Sequence, residues 1–397
     1  MYLYYFLAAI SCWFGLQSLL SGIRYAAYVR RETSRPLPDF QPFVSVIAPG
    51  RGLEPGLIDN LRTLLTQEYP RYEVLFVFDA PDDPAIKIVD ELRSGAAVST
   101  RVIVAGPATD SGQKVHNLRV AVNEIDPQSE VLVFVDTDSR PTRNWLRQLV
   151  APLADDTLGA STGYRWFIPE RGGIWSRLRG VWNASVASAL GSDTAKNFCW
   201  GGSTAIRRTT FTRLDVSERW RGTVSDDFTI THVLKEAKLP IHFTPNCLVA
   251  SVGDCDFREL LEFTTRQIKI TRVYASHLWL PLLLGSALFA IAFFGGLLLL
   301  ILQIFEILSP SFLTPLFVSI IFALGATKSL LRFRAVSTVL SNTSHRDLLA
   351  HIFLWPFASL LYLYNAIAAG FSRRIKWRGI TYELKSPTEA VIISRES

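Results

Sequence analysis

The sequence predicts an α/β protein with a mainly parallel sheet, joined to several transmembrane helices. Two observations lead to this class. Short apolar runs alternate with helical patterns between Arg24 and Arg272, which is typical of a sheet covered by helices. Apolar stretches long enough to cross a bilayer lie near both ends of the 397-residue chain. Because 49% of the residues are hydrophobic, part of the chain is expected to lie outside water.

The first apolar stretch, residues 2–20, carries no charge and has about the 20 residues that a helix needs to cross a bilayer. Four arginines follow it: Arg24, Arg30, Arg31 and Arg35. Since basic residues favour the cytosolic side, the domain after them is expected in the cytosol. A cleaved signal peptide is the alternative, but no basic segment precedes the run and no small-residue cleavage site follows it. We therefore predict a retained anchor over 1–28.

Three more apolar stretches cover 279–305, 311–331 and 349–371. If all three span the membrane, the basic residues around Lys328 and those around Arg373 fall on opposite sides, although both clusters favour the cytosol. The third stretch contains a proline and several polar residues, so a re-entrant or interfacial segment is the alternative to a third span. We predict a membrane region over 274–372 and a basic tail over 373–397.

The soluble block, residues 29–273, opens with the strand FVSVIA at 43–48. This strand runs into Pro49, Gly50, Arg51 and Gly52, a loop whose small residues let the backbone approach a ligand. The spacing matches neither a P-loop nor a dinucleotide fingerprint. Binding of a cofactor phosphate here, with Pro49 as a candidate contact, is therefore a hypothesis.

The second strand, EVLFVF at 73–78, ends in an acid, Asp79. Open α/β sheets bind ligands at the carboxyl ends of their strands, so Asp79 is predicted to contact a nucleoside through its base or its ribose. The alternative is that Asp79, together with Asp82 and Asp83, is an ordinary turn residue.

A third strand at 101–105 precedes the segment SGQKVHNL, which places Lys114 and His116 at the start of a helix. A lysine at a helix N-terminus opposes the helix dipole, and this favours a phosphate or nucleobase contact for Lys114. His116 is expected to have a plain capping role.

The strand VLVFV at 131–135 is followed by Asp136 and Asp138. Two carboxylates about 6 Å apart repel by roughly 3 kcal/mol at an effective dielectric of 20, so a positive group is expected beside them. A Mg or Mn ion carrying a diphosphate is the candidate, because hard cations prefer oxygen ligands. The alternative is a solvated turn in which an aspartate caps the helix at 141–150.

Two later segments also carry candidate chemistry. Trp200 stands beside Gly201 and Gly202, where it could stack on a sugar ring or pack in the core. Asp226 and Asp227 open a helical stretch, so they are candidates for acid–base chemistry or simply for capping that helix.

Together, the strand ending in Asp79, the segment GQKVHNL, the DTD at 136–138 and the later acidic pair resemble glycosyltransferase family 2 with its GT-A fold. The segment YPRYEVLFVFDAPDDPAIKIVDEL looks most similar to the ceramide glucosyltransferase relatives, family 21, whose equivalent segment also contains a DDPAI run. The resemblance covers nearly the whole chain. It implies that Asp79 contacts the nucleotide, that Asp136 and Asp138 bind the metal–diphosphate, and that Lys114 lies near the donor.

The resemblance also implies an acid on the acceptor side. In these relatives an acidic pair at the position of Asp226 and Asp227 supplies the general base, usually through its second member, so this role is carried to Asp227.

Relatives further carry a (Gln/Arg)-x-x-Arg-Trp motif before the C-terminal spans. Here Arg266 matches the first position, Lys269 stands for the arginine and Ile270 for the tryptophan. Lysine lacks the planar fork that binds a diphosphate, so Arg266 or Arg272 is expected to share the stabilisation of the leaving group. The alternative is a basic membrane-flanking helix.

The resemblance implies an integral, multi-pass membrane enzyme that transfers a sugar from a UDP-sugar to a lipid hydroxyl, with inversion and with a divalent cation. A processive polysaccharide synthase and an inactive nucleotide-sugar-binding membrane protein are the alternatives. The net charge of +6 is spread over membrane flanks and clusters, which indicates anionic lipid and phosphate as partners and not nucleic acid. Asn183 and Asn342 match the glycosylation pattern, which a cytosolic location would leave unused.

Overall fold

The computed structural model describes residues 1–341 and 343–396, so Asn342 lies outside the described residues. The chain divides into two compact units. The sheet unit comprises Arg31–Glu170, Ala189–Gly253 and the described part of 373–397, and the helical unit comprises Met1–Arg30, Arg171–Ser188 and the described part of 254–372.

Ten strands are present among the described residues. They are β1 (Val44–Pro49), β2 (Tyr72–Phe78), β3 (Ser99–Val104), β4 (Val131–Phe134), β5 (Ala160–Ile168), β6 (Thr204–Arg207), β7 (Ile241–Val252), β8 (Arg374–Trp377), β9 (Ile380–Ser386) and β10 (Glu389–Arg395).

The α-helices of the described chain, in order, are α1 (Tyr2–Thr33), α2 (Leu57–Leu65), α3 (Pro84–Arg93), α4 (Gln113–Val122), α5 (Trp145–Val150), α6 (Ile174–Ala187), α7 (Arg208–Arg213), α8 (Val216–Arg219), α9 (Asp226–Glu236), α10 (Phe257–Tyr274), α11 (Ser276–Phe289), α12 (Gly295–Ile304), α13 (Leu313–Ser337), α14 (His345–Phe353) and α15 (Trp355–Phe371). A π-helical turn, Ala290–Phe294, joins α11 to α12.

The sheet unit contains a seven-stranded sheet in the order β3-β2-β1-β4-β6-β5-β7. Strands β1 to β4 pair in parallel, β5 pairs in parallel with β7, and β6 runs antiparallel to both neighbours. Strand β4 is buried throughout, as expected for an apolar run between two layers of helices. This topology confirms the predicted α/β class with a mainly parallel sheet, the class of the GT-A fold.

The register of the sheet aligns the carboxyl ends of neighbouring strands. Pro49 pairs with Val77, and Ile47 pairs with Phe134, so β1, β2 and β4 end side by side. The core beneath this edge includes Phe134, whose ring lies 5.4 Å from the ring of Trp220. The acids that follow β2 and β4 therefore share one edge of the sheet.

Residues 373–396, which the sequence analysis treated only as a basic tail, form an antiparallel sheet in the order β10-β9-β8. The physical reason is the period-two pattern of β9, where Ile380, Tyr382 and Leu384 are buried. Strands β8 and β9 are joined by Arg378 and Gly379, whose φ angles of 50° and 72° are typical of a tight hairpin turn.

The helical unit holds three helices that are long and apolar enough to cross a membrane: α1, the continuous helix Ser276–Ile304 and α13. Helices α14 and α15 pass this test only as a pair, and they are bent by 59°. Pro356 follows the break, where its ring cannot continue the preceding helix. A bent pair can be a broken span or a re-entrant segment, so the prediction for 349–371 stays open between these two forms.

Helices α6 and α10 belong by their contacts to the helical unit, whereas the sequence analysis placed both in the soluble block 29–273. The reason is an apolar cluster that joins Trp182 of α6 and Leu260 of α10 to Leu361 of α15. The ring of Trp182 also stacks on Tyr362, with centroids 4.7 Å apart.

Candidate active site

A partly buried arginine lies beside the acid pair that follows β4. Arg165, on β5, places Nη2 2.9 Å from Asp136 Oδ2 and Nη1 3.4 Å from Asp138 Oδ2. Its guanidinium also lies over two aromatic rings, 5.0 Å from the centroid of Trp200 and 5.4 Å from that of Phe167. The predicted positive group is thus supplied by the protein itself.

Sequence reasoning missed Arg165. The signal that could have found it is a single charge inside the apolar strand ASTGYRWFI, because a charge in a buried strand needs an opposite charge nearby. For Trp200, which is only 7% exposed, the contacts with Arg165 and Tyr164 favour packing over sugar stacking.

A single lysine joins the acid pair after β4 to the acid pair at the start of α9. Lys114 Nζ lies 2.8 Å from Asp136 Oδ1 and 3.2 Å from Asp226 Oδ1. Burial alone would lower the pKa of Lys114, but the charges of Asp136 and Asp226 outweigh it and raise that pKa. The lysine is therefore held as a cation between two predicted site residues.

The two aspartates that share Lys114 have pKa values shifted in opposite directions. Burial favours the neutral form of Asp136, but Lys114 and Arg165 together hold its pKa below the usual range. For Asp226, burial is the largest cause of the shift, and it raises the pKa. The negative charges of Asp227 and Asp136 raise it further, so the pKa is about 6 even though Lys114 lowers it. One acid has two cations beside it and the other has one, which accounts for the opposite directions.

Two glycines leave room for the ion pairs that Lys114 makes with Asp136 and Asp226. A Cβ atom on Gly201 would lie 2.0 Å from Asp226 Oδ2 and 2.8 Å from Lys114 Nζ, and one on Gly202 would lie 2.8 Å from Asp136 Oδ2. No side chain fits at these distances without movement of the ion pairs. The small-residue segment after Trp200 therefore makes room for the charged groups.

The members of the second acid pair have different contacts. Ser225 is the N-cap of α9, and Asp227, in the first turn, accepts a hydrogen bond from Phe228 N at 2.7 Å and another from the hydroxyl of Ser225. Asp226 contacts Lys114 instead. The role of Asp227 as general base stays a prediction.

On the nucleotide side, Asp79 lies at the end of β2 and its Oδ2 is 3.5 Å from Arg51 Nε. Pro49 ends β1, and its carbonyl oxygen lies 3.5 Å from the hydroxyl of Thr137. Asp83 accepts from the amides of Ala85 and Gly52, as a turn and cap residue does. The predicted contacts of Asp79 and Pro49 with a donor stay predictions.

His116, inside α4, contacts the segment after β3, and the capping role expected for it stays a prediction. Its Nε2 lies 2.9 Å from the carbonyl oxygen of Ala105, which ties α4 to the end of β3.

Several buried side-chain atoms near these residues have no hydrogen-bond partner among the described residues, and they include Asp138 Oδ1, Asp226 Oδ2, Glu54 Oε2 and Arg51 Nη1. Buried polar atoms without partners are costly, so such a group indicates where a ligand binds.

The acid pair after β4 fits a divalent cation only as a site with few protein ligands. Within the described residues, no group of three His, Cys, Asp or Glu side chains is placed to hold a metal ion. Asp136 and Asp138 offer hard carboxylate oxygens, and Asp138 Oδ1 is the buried one without a partner. Mg²⁺ is commonly held by one or two carboxylates together with substrate phosphates, and this donor set suits that arrangement.

The predicted donor-side cations of α10 belong to the helical unit. The Arg266 guanidinium lies 5.7 Å from the centroid of Phe263, and burial lowers the pKa of Lys269. Arg272 donates to the carbonyl oxygens of Ala369 and Gly370 at the end of α15, which is a structural contact. A role of these residues toward the donor stays a prediction.

Comparison with known proteins places these observations in a family. The model of glycosyl transferase family 21 matches residues 3–390. Ceramide glucosyltransferase 1 of Caenorhabditis elegans is 31% identical over 98 residues, 24% of this chain and 21% of that protein. Ceramide glucosyltransferase 3 of the same organism is 31% identical over 81 residues, 20% of this chain and 18% of that protein. The matched segments thus span about a fifth of the length of these curated relatives.

Two solved structures are also similar. One is the mannosyltransferase PcManGT from Pyrobaculum calidifontis in complex with GDP-Man and Mn2+, with a TM-score of 0.48, 19% identity and coverage of 92% of this chain and 99% of that chain. The other is GalNAc-T7 with UDP, GalNAc and Mn2+, with a TM-score of 0.38, 15% identity and coverage of 54% of this chain and 44% of that chain.

The family model covers nearly the whole chain, which confirms the predicted resemblance and, at the level of the family, the glycosyltransferase class. This protein therefore belongs to glycosyl transferase family 21.

Proposed function

We propose that this protein is a membrane-bound glycosyltransferase that transfers a sugar from a nucleotide-diphosphate donor to a lipid hydroxyl. The observation that carries the proposal is the position of Lys114, 2.8 Å from Asp136 and 3.2 Å from Asp226. In a transfer reaction the leaving diphosphate and the attacking hydroxyl meet at one carbon atom. Lys114 contacts Asp136, proposed for the donor side, and Asp226, proposed for the acceptor side, and this position suits a site where the two substrates meet.

The donor in this proposal is a UDP-sugar, a feature carried from the family resemblance. Asp79, paired with Arg51, contacts the nucleoside at the end of β2, the usual ligand edge of such a sheet. A Mg or Mn ion bound by Asp136 and Asp138 would supply charge neutralisation to the departing diphosphate. Lys114 and Arg165 lower the pKa of Asp136, and Arg165 also pairs with Asp138, so the two cations hold these side chains in position.

Asp227 is the proposed general base. It removes the proton of the acceptor hydroxyl while the acceptor oxygen bonds to the sugar carbon and the bond to the diphosphate breaks, which inverts that carbon in one displacement. Asp226 places its negative charge against Lys114 and keeps the amine of Lys114 between the two halves of the site. The resemblance adds Arg266 and Lys269 as donor-side cations.

The acceptor is proposed to be a lipid alcohol, and two ceramide glucosyltransferases among the relatives support this class. The three apolar helices long enough to cross a membrane, α1, Ser276–Ile304 and α13, are proposed to span it and to keep the enzyme at a surface where such lipids lie. The basic residues after residue 20 support a cytosolic location of the sheet unit.

The test is transfer of radiolabelled sugar from a panel of UDP-sugars into organic-extractable lipid, in membranes that contain the full chain. The variant is Asp227→Asn, and the matched control is Asp193→Asn, which changes an exposed carboxylate paired with Lys196. Labelled lipid from the parent and the control, but not from Asp227→Asn, is expected.

Three other outcomes would contradict this proposal. Label in a large aqueous polymer would indicate a polysaccharide synthase. Nucleotide binding without any transfer would indicate an inactive binding protein. Full activity of Asp227→Asn would remove Asp227 as the base.

A further inference from the structure

We propose that the C-terminal sheet, β8 to β10, forms one wall of the donor-nucleotide pocket and that Arg378 at its hairpin tip binds the donor diphosphate. This inference rests on the proposed function, because it assumes that the ligand edge of the large sheet takes a nucleotide diphosphate. It is carried by the places where the C-terminal sheet contacts the rest of the sheet unit.

One contact is at the start of α4. The buried phenol of Tyr382 accepts a hydrogen bond from Gln113 N at 3.1 Å. Arg395, at the end of β10, donates to Gln113 Oε1 at 3.1 Å and to the carbonyl oxygen of Ala108 at 2.5 Å. Gln113 directly precedes Lys114, so the C-terminal sheet holds the helix turn that carries the shared lysine.

The other contact is at the loop after β1. Arg378 Nη1 donates to the carbonyl oxygen of Arg51 at 3.0 Å, and its Nη2 pairs with Glu54. The neighbouring Arg51 side chain pairs with Asp79. The hairpin tip is therefore attached to the same loop that contacts the predicted nucleoside residue.

These two contacts lie on either side of the end of β2. In the order β3-β2-β1, the loop after β1 and the segment after β3 flank β2, which ends at Phe78 just before Asp79. The C-terminal sheet contacts both of these segments. The charges of Arg51 and Asp79 also shift the pKa of Tyr382, Arg51 downward and Asp79 upward. A ligand at Asp79 is thus bounded by the C-terminal sheet.

Arg378 is held at the loop after β1 by the carbonyl oxygen of Arg51 and by Glu54, and the side chain of Arg51 pairs with Asp79. Beside it, Glu54 Oε2 and Arg51 Nη1 are buried and have no hydrogen-bond partner in the described chain. A nucleotide that joins Asp79 to Asp136 and Asp138 carries its phosphates through this place, and a planar guanidinium suits them.

The test measures ligand binding to the full-length protein in detergent by calorimetry, with UDP and GDP as the probes and the matching nucleosides as competitors. The variant is Arg378→Gln. The matched control is Arg374→Gln, which removes an exposed arginine of the same sheet that pairs with Glu383. We expect Arg378→Gln to weaken binding of the diphosphate about tenfold or more, with nucleoside affinity within about twofold of wild type, because one charge-assisted hydrogen-bonding group is lost.

A second variant, Glu54→Gln, separates ligand binding from a purely structural tie. It removes the carboxylate that pairs with Arg378, so diphosphate affinity is expected to stay equal or to increase. An equal loss in Glu54→Gln and Arg378→Gln would overturn the inference, because the ion pair would then act only by holding the loop.

Three further outcomes would each overturn either the inference or the proposed function. Unchanged diphosphate affinity in Arg378→Gln overturns the inference while leaving the proposed function intact. Parallel loss of nucleoside and diphosphate affinity overturns the diphosphate contact in the same way. Failure of the wild-type protein to bind either diphosphate would instead overturn the proposed function itself.

Discussion

The two acid pairs of the candidate site contain the same residue type in opposite electrostatic situations. Asp136 follows a strand and has Lys114 and Arg165 beside it, and its pKa is lowered. Asp226 opens a helix and has only Lys114, and its pKa is raised to about 6. The number of cations beside each carboxylate thus accounts for the direction in which its pKa is shifted.

This difference suits the two roles that the proposed function gives to the acid pairs. A carboxylate that stays ionised is suited to hold cations and phosphates. An acid whose pKa lies near neutrality is suited to the side where a proton moves. The predictions below change the cations and the acids in turn.

The largest effect is expected from Lys114→Met, which removes the cation that the two pairs share. Asp226 then has no cation within ion-pair distance among the described residues, and Asp136 keeps only Arg165. Breaking a buried ion pair from one side costs about 3–5 kcal/mol of folding free energy. We expect sugar transfer to fall about 10³-fold, the rate loss that about 4 kcal/mol of transition-state stabilisation would give.

The measurement is initial transfer rate together with thermal unfolding in detergent. Lys87→Met, which changes an exposed lysine of α3, is the matched control. Activity within tenfold of wild type for Lys114→Met would show that the two acid pairs work independently of the lysine that they share.

The next effect is expected from Arg165→Gln, which changes only the pair after β4. Asp136 and Asp138 lose the guanidinium that bridges them, so their mutual repulsion is no longer offset there. We expect transfer to fall about 100-fold, equivalent to about 2.7 kcal/mol.

Arg165→Lys tests the geometry of the same contact. Lysine keeps the charge but cannot reach two carboxylates with a planar fork or stack flat on Trp200. Only partial recovery of the transfer rate is therefore expected, and full recovery would show that charge alone is sufficient.

A smaller effect is expected from Gly201→Ala. The added methyl group would lie 2.0 Å from Asp226 Oδ2, so the carboxylate of Asp226 must move, and its contact with Lys114 is disturbed. Overpacking of this kind costs about 1–3 kcal/mol. Thermal unfolding at neutral pH should show the loss, and Gly191→Ala, where a Cβ meets no heavy atom within 4 Å, is the control. Equal unfolding temperatures for the two variants would contradict the crowding at Gly201.

The strands of the large sheet and the acids at their ends could be predicted from sequence because their signals are local. A run of apolar residues that ends in Asp79 or in Asp136 reveals both the strand and the ligand edge. The acid pair at Asp226 was found in the same way, from its place at the start of a helix.

The cations that define the site could not be assigned in this way, because they come from distant parts of the chain. Arg165 meets Asp136 only because the short antiparallel strand β6 lies between β4 and β5 in the sheet. Four residues give little periodic signal for such a strand. The segment ITYELKS of the C-terminal sheet does alternate between apolar and polar residues, which is a local strand signal, but the antiparallel pairing of β8, β9 and β10 is not local in this way.

The smallest effect, and the one most specific to the comparison, is the pH dependence of stability in Asp226→Asn. The pKa of Asp226 is about 6 in the folded protein against an ordinary value of 3.8, so the folded state binds the proton more tightly. The stability that this carboxyl contributes is present below about pH 4 and is lost as the pH rises through about 6. Asparagine has no such dependence, so the variant should gain about 1–3 kcal/mol relative to wild type between pH 4 and pH 7.

The pKa of about 6 already includes the attraction of Lys114, so losing that ion pair is part of the same pH-dependent effect. Replacing a neutral carboxyl group by an amide adds only an offset that does not change with pH. The slope of the difference with pH, and not its absolute value, therefore reports the protonation of Asp226. Thermal unfolding of wild type, Asp226→Asn and the exposed-site control Asp193→Asn from pH 4 to pH 7 measures this slope. A flat difference for Asp226→Asn would mean that Asp226 is ionised as Asp136 is, and the two pairs would then no longer differ in the property that separates their proposed roles.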